Sequence, residues 1–190
     1  MSSSHVTGEA HWETNVTYDE SSSTVDGGDH EKTQAEFTAI RNSALDVAAD
    51  LAALPGVNDG GFDLNNQDRT IVGNGGVNVF HVTSNFNLNG STLTLEGGEH
   101  DVFIFNIPMG KQFELNSGAE IALSSDLDPR RVVFNVAGEV GGPGGLDDTK
   151  IQESLFRGTL IATGRNVHVN DNEYAEGNGL YGSIITGGKL

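Results

Sequence analysis

Six histidines, His5, His11, His30, His81, His100 and His168, are the first residues to consider for metal or proton chemistry. None stands at the i, i+4 spacing of a zinc-binding helix, and the chain has no cysteine to supply a thiolate or a disulfide. Acidic residues gather at Asp126/Asp128, at Asp147/Asp148 with Glu153, and at Asp171/Glu173/Glu176. Calcium takes several loop oxygens, so it is the cation such clusters would hold, with Asp147, Asp148 and Glu153 as candidate ligands. No EF-hand pattern is present. Residues 63–68 come nearest and lack its glycine and distal glutamate. Paired carboxylates can also serve sugar cleavage, but a lyase needs a basic residue to take the proton. Lys111, Lys150, Arg130, Arg131, Arg157 and Arg165 are available, and no spacing singles one out. There is neither a nucleophile elbow nor a phosphate-binding loop with its lysine. No catalytic or cofactor-binding residue is assigned, and the chain reads as a non-enzyme.

Composition excludes further classes. The 190 residues carry 27 acidic against 10 basic side chains, a net charge of −17, which nucleic acid and anionic membranes repel. No apolar run reaches the roughly 18 residues needed to cross a bilayer. The start, Met1-Ser2-Ser3-Ser4, lacks the basic and apolar regions of a signal peptide, so an exported protein would have lost its leader.

The elements that must position any site are mostly short strands. Glycine is abundant at 26 residues and proline scarce at 4, which suits strands joined by tight turns. Residues 1–32 read as an N-terminal strand around His11 to Tyr18 followed by a flexible loop over 21–29. Thr33-Gln34-Ala35-Glu36 fits a capping box. Beyond it Phe37, Ile40, Ala44, Val47, Ala48, Leu51 and Leu54 draw one apolar stripe, and Pro55-Gly56 ends the pattern. A helix is predicted over 34–54, docked by that stripe.

Period-2 alternation then predicts strands at Val77/Val79, Phe86/Leu88, Leu93/Leu95, Val102/Ile104, Phe113/Leu115 and Ile121/Leu123. Further strands follow over 131–136, 158–163, 166–169 and 180–186. Runs such as Val102-Phe103-Ile104-Phe105 are apolar throughout, as strands covered on both sides are. A solenoid over 33–190 with a helix along one side would produce that. No strict period is visible, and strand spacing alone leaves a β-sandwich open.

The order of the segments 101–107, 131–138, 156–162 and 180–185 resembles the choice-of-anchor A domain of bacterial surface proteins. It also resembles the ice-binding-protein-like domain. The second resemblance implies a mainly β fold, an irregular right-handed β-solenoid of triangular section with one long helix alongside. The first implies an extracellular or cell-surface adhesin or biofilm matrix component. Its partners would be a polysaccharide or protein ligand, or further copies of itself.

The second implies ice binding through a flat face of uncharged small residues. Thr92-Leu93-Thr94 puts two threonines on one side of a strand. Thr83, Thr92 and Thr94 are the surface-binding candidates. Glu96, Lys111, Glu114 and Arg131 lie in or beside strands and speak against a continuous threonine ladder. Surface adhesion is therefore the leading expectation, and ice binding the alternative.

Overall fold

The computed structural model describes residues 4–6, 10–13, 23–25, 29–138, 149–170 and 179–186, with the backbone alone up to residue 32 and at Gln34, Phe37 and Asn170. Four short strands come first: β1 (Ser4–Val6), β2 (Ala10–Glu13), β3 (Ser23–Val25) and β4 (Asp29–Lys32). β1 pairs with β3 and β2 with β4, both in parallel. The tract expected to be a loop thus contains a strand, where Thr24 and Val25 supply β-branched residues. The strand expected from His11 begins at Ala10, and residues 14–18 lie outside the described residues.

Helix α1 (Gln34–Ala53) opens with the predicted capping box. The Glu36 amide donates to Thr33 Oγ1 at 3.3 Å, and the Thr33 amide donates to Glu36 Oε2 at 2.9 Å. Two otherwise orphaned donors are satisfied reciprocally.

From residue 57 the chain winds as a β-solenoid. One coil holds β5 (Val57–Asp59), β6 (Asp63–Asn65) and β7 (Arg69–Val72); the next holds β8 (Val77–Val82), β9 (Phe86–Asn89) and β10 (Thr92–Glu96). Then come β11 (Val102–Ile107), β12 (Phe113–Asn116) and β13 (Glu120–Leu123), followed by β14 (Val132–Val136), β15 (Thr149–Gln152) and β16 (Leu155–Ala162). β17 (Val167–Asn170) and β18 (Gly179–Thr186) complete the described strands.

Pairings stack these strands into three faces, all parallel. β5, β8, β11, β14 and the second half of β16 make the first face. β6, β9, β12, β15 and β17 make the second. β7, β10, β13 and the start of β16 make the third. β16 and β18 each run unbroken from the third face to the first, turning at Gly158 (φ 144°) and Gly182 (φ 154°). A Cβ on Gly182 would collide with the Gly158 carbonyl, so only glycine permits this tight corner.

The core is two columns of phenylalanine. Phe62, Phe86 and Phe113 stack at 5.2 and 5.1 Å, and Phe80, Phe105 and Phe134 at 5.2 and 5.0 Å. The columns meet edge to face, as Phe86 does with Phe105 at 5.8 Å. Thr149 takes the next place above Phe113, and its fully buried hydroxyl has no hydrogen-bond partner among the described residues. Phe156 instead closes on Phe134 at 5.3 Å.

A repeat underlies the second face. Phe62-Asp63-Leu64-Asn65-Asn66, Phe86-Asn87-Leu88-Asn89-Gly90, Phe113-Glu114-Leu115-Asn116-Ser117 and Thr149-Lys150-Ile151-Gln152-Glu153 lie one above another. Their fifth residues, at φ of 50°, 58°, 55° and 48°, turn the chain onto the third face in the left-handed region.

The helix docks on the first face differently from the apolar stripe expected. Ile40 and Val47 both stay 48% exposed, and of the stripe's described side chains Ala44 alone is fully buried. The Phe37 side chain lies outside the described residues. Side-chain amides do the anchoring: Asn106 Nδ2 donates to the Leu51 carbonyl at 2.9 Å, and Asn135 Nδ2 to Ala48 at 2.8 Å. His81 Nε2 meets the Leu54 carbonyl at 3.0 Å. The reason is chemical. Pro55 has no N–H to offer Leu51, whose carbonyl receives the Leu54 amide at 3.4 Å, and Leu54 lies past the last helical turn. Ala48, by contrast, takes the Asn135 amide in addition to its place in the helix.

Candidate functional site

With the helix on the first face, the second and third are the broad strand surfaces left among the described residues. On the third, Thr94 lies in register between Thr70 of β7 and Ala122 of β13. Thr92, two residues before Thr94, points to the same side and lies beside Glu120. Thr70 is exposed, while Thr92, Thr94 and Ala122 are half-buried. Neighbouring strands are about 4.8 Å apart and alternate residues along a strand about 6.7 Å apart, so these side chains form a small lattice of hydroxyls and methyls.

Of the acidic groups around this patch, Glu120 is paired with Arg157, while Asp68 and Glu96 are exposed. Arg157 Nη1 donates to Glu120 Oε1 at 2.6 Å and to the Ile121 carbonyl at 3.0 Å. Asp68, beside Thr92 on the preceding coil, accepts the Thr92 amide at 2.8 Å. Glu96 is exposed at the far end of β10, beside an open groove of about 520 Å³ whose lining includes Val72, Thr94, Leu123 and Ser124. Asp101 shapes that groove from beneath. The Gly98 amide, the Asn78 amide group and the Gly75 amide converge on its carboxylate and hold it below the usual carboxylate range.

The second face has a different character. Asn65, Asn89, Asn116 and Gln152 form one outward row, and Asp63, Asn87, Glu114, Lys150 and His168 form the other. Asn87 donates to Asp63 and Asn89 to Asn65, both at 3.2 Å. This surface is flat but charged, with amides partly bonded to one another.

The structure brings Thr92 and Thr94 together and sets Thr83 apart. Thr83 stands at the corner between the first and second faces, its amide donating to the Asp59 carbonyl at 2.9 Å. Thr70 and Ala122 were missed because only the register places them beside Thr94. Of the calcium candidates, Asp147 and Asp148 lie outside the described residues, and Glu153 occupies a left-handed corner where its carbonyl accepts the Gly118 amide at 2.7 Å. Among the described residues no three His, Asp or Glu side chains gather as a metal site. Several candidate bases have structural work. Arg165 is fully buried, donating to the carbonyls of Ala137, Lys111 and Pro108, and Arg130 grips Asp128, whose pKa falls to about 2 beside it. No helix among the described residues is long and apolar enough to cross a membrane.

The fold is thus a helix-flanked β-solenoid that carries a patch of threonine and alanine on one open face. Residues 1–184 match the family model described as ice-binding-like, and the chain belongs to that family. Two solved structures share the fold. An ice-binding protein from the Antarctic ascomycete Antarctomyces psychrotrophicus aligns with a TM-score of 0.57 at 16% identity, covering 100% of this chain and 90% of that one. An ice-binding protein from an Antarctic biological consortium aligns at 0.56 with 14% identity, covering 99% and 83%. A search of the curated proteins finds no match. These findings support the ice-binding-like resemblance. They lend no support to the choice-of-anchor A resemblance or to the adhesive role expected from it.

Proposed function

We propose that this protein binds ice, acting outside the cell through the third face of its solenoid. The observation that carries the proposal is the registered patch of Thr70, Thr94 and Ala122 with Thr92 beside it, on a face the helix leaves open. Threonine offers a hydroxyl that replaces a water hydrogen bond and a methyl that forbids a second one. A rigid array of such groups at fixed strand spacing holds first-shell waters in a lattice order, at small entropic cost because the scaffold is already ordered. Family membership and the two Antarctic neighbours support the same ligand. No catalytic step is required.

Purified protein should show thermal hysteresis and should stop ice grains from coarsening at constant subzero temperature. Both are read with calcium and with a chelator, which also tests whether Asp147, Asp148 and Glu153 hold a cation that activity needs. Absence of hysteresis and grain growth equal to buffer in both conditions would overturn the proposal.

A further inference from the structure

The third face does not end at Ala122. Leu155, the first residue of β16, lies beside Glu120, and Arg157 points to the same side two residues on. Beyond it, Tyr181 of β18 is in register with Arg157. An acid and a base therefore interrupt the small-residue surface where it passes into the upper coils.

Their geometry cancels that interruption. The Glu120–Arg157 contact is 2.6 Å, with side chains 35% and 29% exposed respectively. Arg157 is also tied down by the Ile121 carbonyl, and its guanidinium lies 5.8 Å from the centre of the 55%-exposed Tyr181 ring. A guanidinium held by a carboxylate, a carbonyl and an aromatic ring is planar, neutralised and weakly hydrated. Unpaired, Glu120 would stand next to Thr92 as a full negative charge with its own strongly oriented water shell.

Building on the ice-binding reading, we infer that Arg157 is a positioning residue of the ice-binding face. It folds over Glu120 and removes a charge that would disorder the waters held by Thr92 and Thr94. Its role is electrostatic. The pair as a whole is dispensable, whereas the loss of Arg157 alone is not.

The test compares wild type, Arg157→Gln, and the double variant Glu120→Gln/Arg157→Gln, each checked for an unchanged thermal midpoint of unfolding. Arg157→Gln should lose hysteresis several-fold at equal concentration, and the double variant should return to near wild type. Wild-type activity in Arg157→Gln, or a double variant as weak as the single one, would overturn the inference while leaving ice binding intact. An inactive wild type would instead overturn the ice-binding reading, and this inference with it.

Discussion

The first and third faces are both stacks of parallel strands and are joined through β16, yet their outward residues have opposite fates. On the first, Asn106 and Asn135 are 6% and 5% exposed and spend their amide donors on helix carbonyls. On the third, Thr92 and Thr94 point away from the core, and α1 does not cross them. Asparagine, with two donors and an acceptor, suits a surface that must satisfy backbone groups of a second element. Threonine, short and β-branched, suits a surface that must stay regular and meet solvent. On the ice-binding proposal, one scaffold assigns one side to stability and another to recognition, by the choice of residue at outward positions.

The separation is broken most sharply at Asn135. Asn135→Leu leaves the Ala48 carbonyl and the Asn106 Oδ1 without this donor, and should cost about 1–3 kcal/mol of stability. Urea unfolding checks the loss, and ice recrystallisation at low temperature should be unchanged as long as the variant is folded. A matching loss of ice activity in folded protein would show that the two faces are not independent.

A smaller effect, of opposite sign, is expected on the second face. Thr149→Val keeps the volume and removes a buried hydroxyl that has no partner among the described residues, which should raise stability by about 1 kcal/mol. A rise in the thermal midpoint without change in ice activity would sharpen the contrast, since this residue serves only the core. A fall would show that the hydroxyl is bonded after all.

The smallest effect belongs to the first coil, where the faces share a closure. Arg69 pairs with Asp59, donates to the Gly61 carbonyl at 2.7 Å and lies 4.4 Å over the Phe62 ring. The Arg69 guanidinium holds the Asp59 carboxyl below its ordinary value. A depressed folded-state pKa means stability that is present above the ordinary carboxylate value of about 3.9 and is lost as pH falls below it. Asp59 is part-exposed, so the effect should be well under about 1 kcal/mol after screening. Asp59→Asn should flatten the acid limb of the stability curve below about pH 4 relative to wild type. An identical limb would remove the closure from the account of stability.

How much of this was legible in the residues follows from how local each signal is. The capping box and Pro55-Gly56 fixed the helix because both act within one turn. Alternation located most of the solenoid strands for the same reason, but missed β5, β6, β7 and β15, which are short and lack an alternating pair of large apolar residues. The repeat on the second face stayed hidden because loops of unequal length separate its copies, so only the stacked left-handed corners at Asn66, Gly90, Ser117 and Glu153 reveal it. The helix anchor was illegible because Asn106 and Asn135 act on carbonyls far away in sequence. The site was half legible. Thr92 and Thr94 announce themselves by spacing, but Thr70 and Ala122 join them only through register, and Thr83 proves to sit on another corner.

The most direct measurement places one lysine on each open face. Thr94→Lys puts a strongly hydrated ammonium in the centre of the third face, and Asn89→Lys does the same at a half-buried row of the second. Thermal hysteresis of both variants is compared with wild type at equal concentration, with unfolding midpoints measured alongside. Loss of most activity in Thr94→Lys, with Asn89→Lys close to wild type, is the result expected if ice meets the third face. Full activity in Thr94→Lys together with loss in Asn89→Lys would contradict that assignment and move the ice-binding surface to the second face.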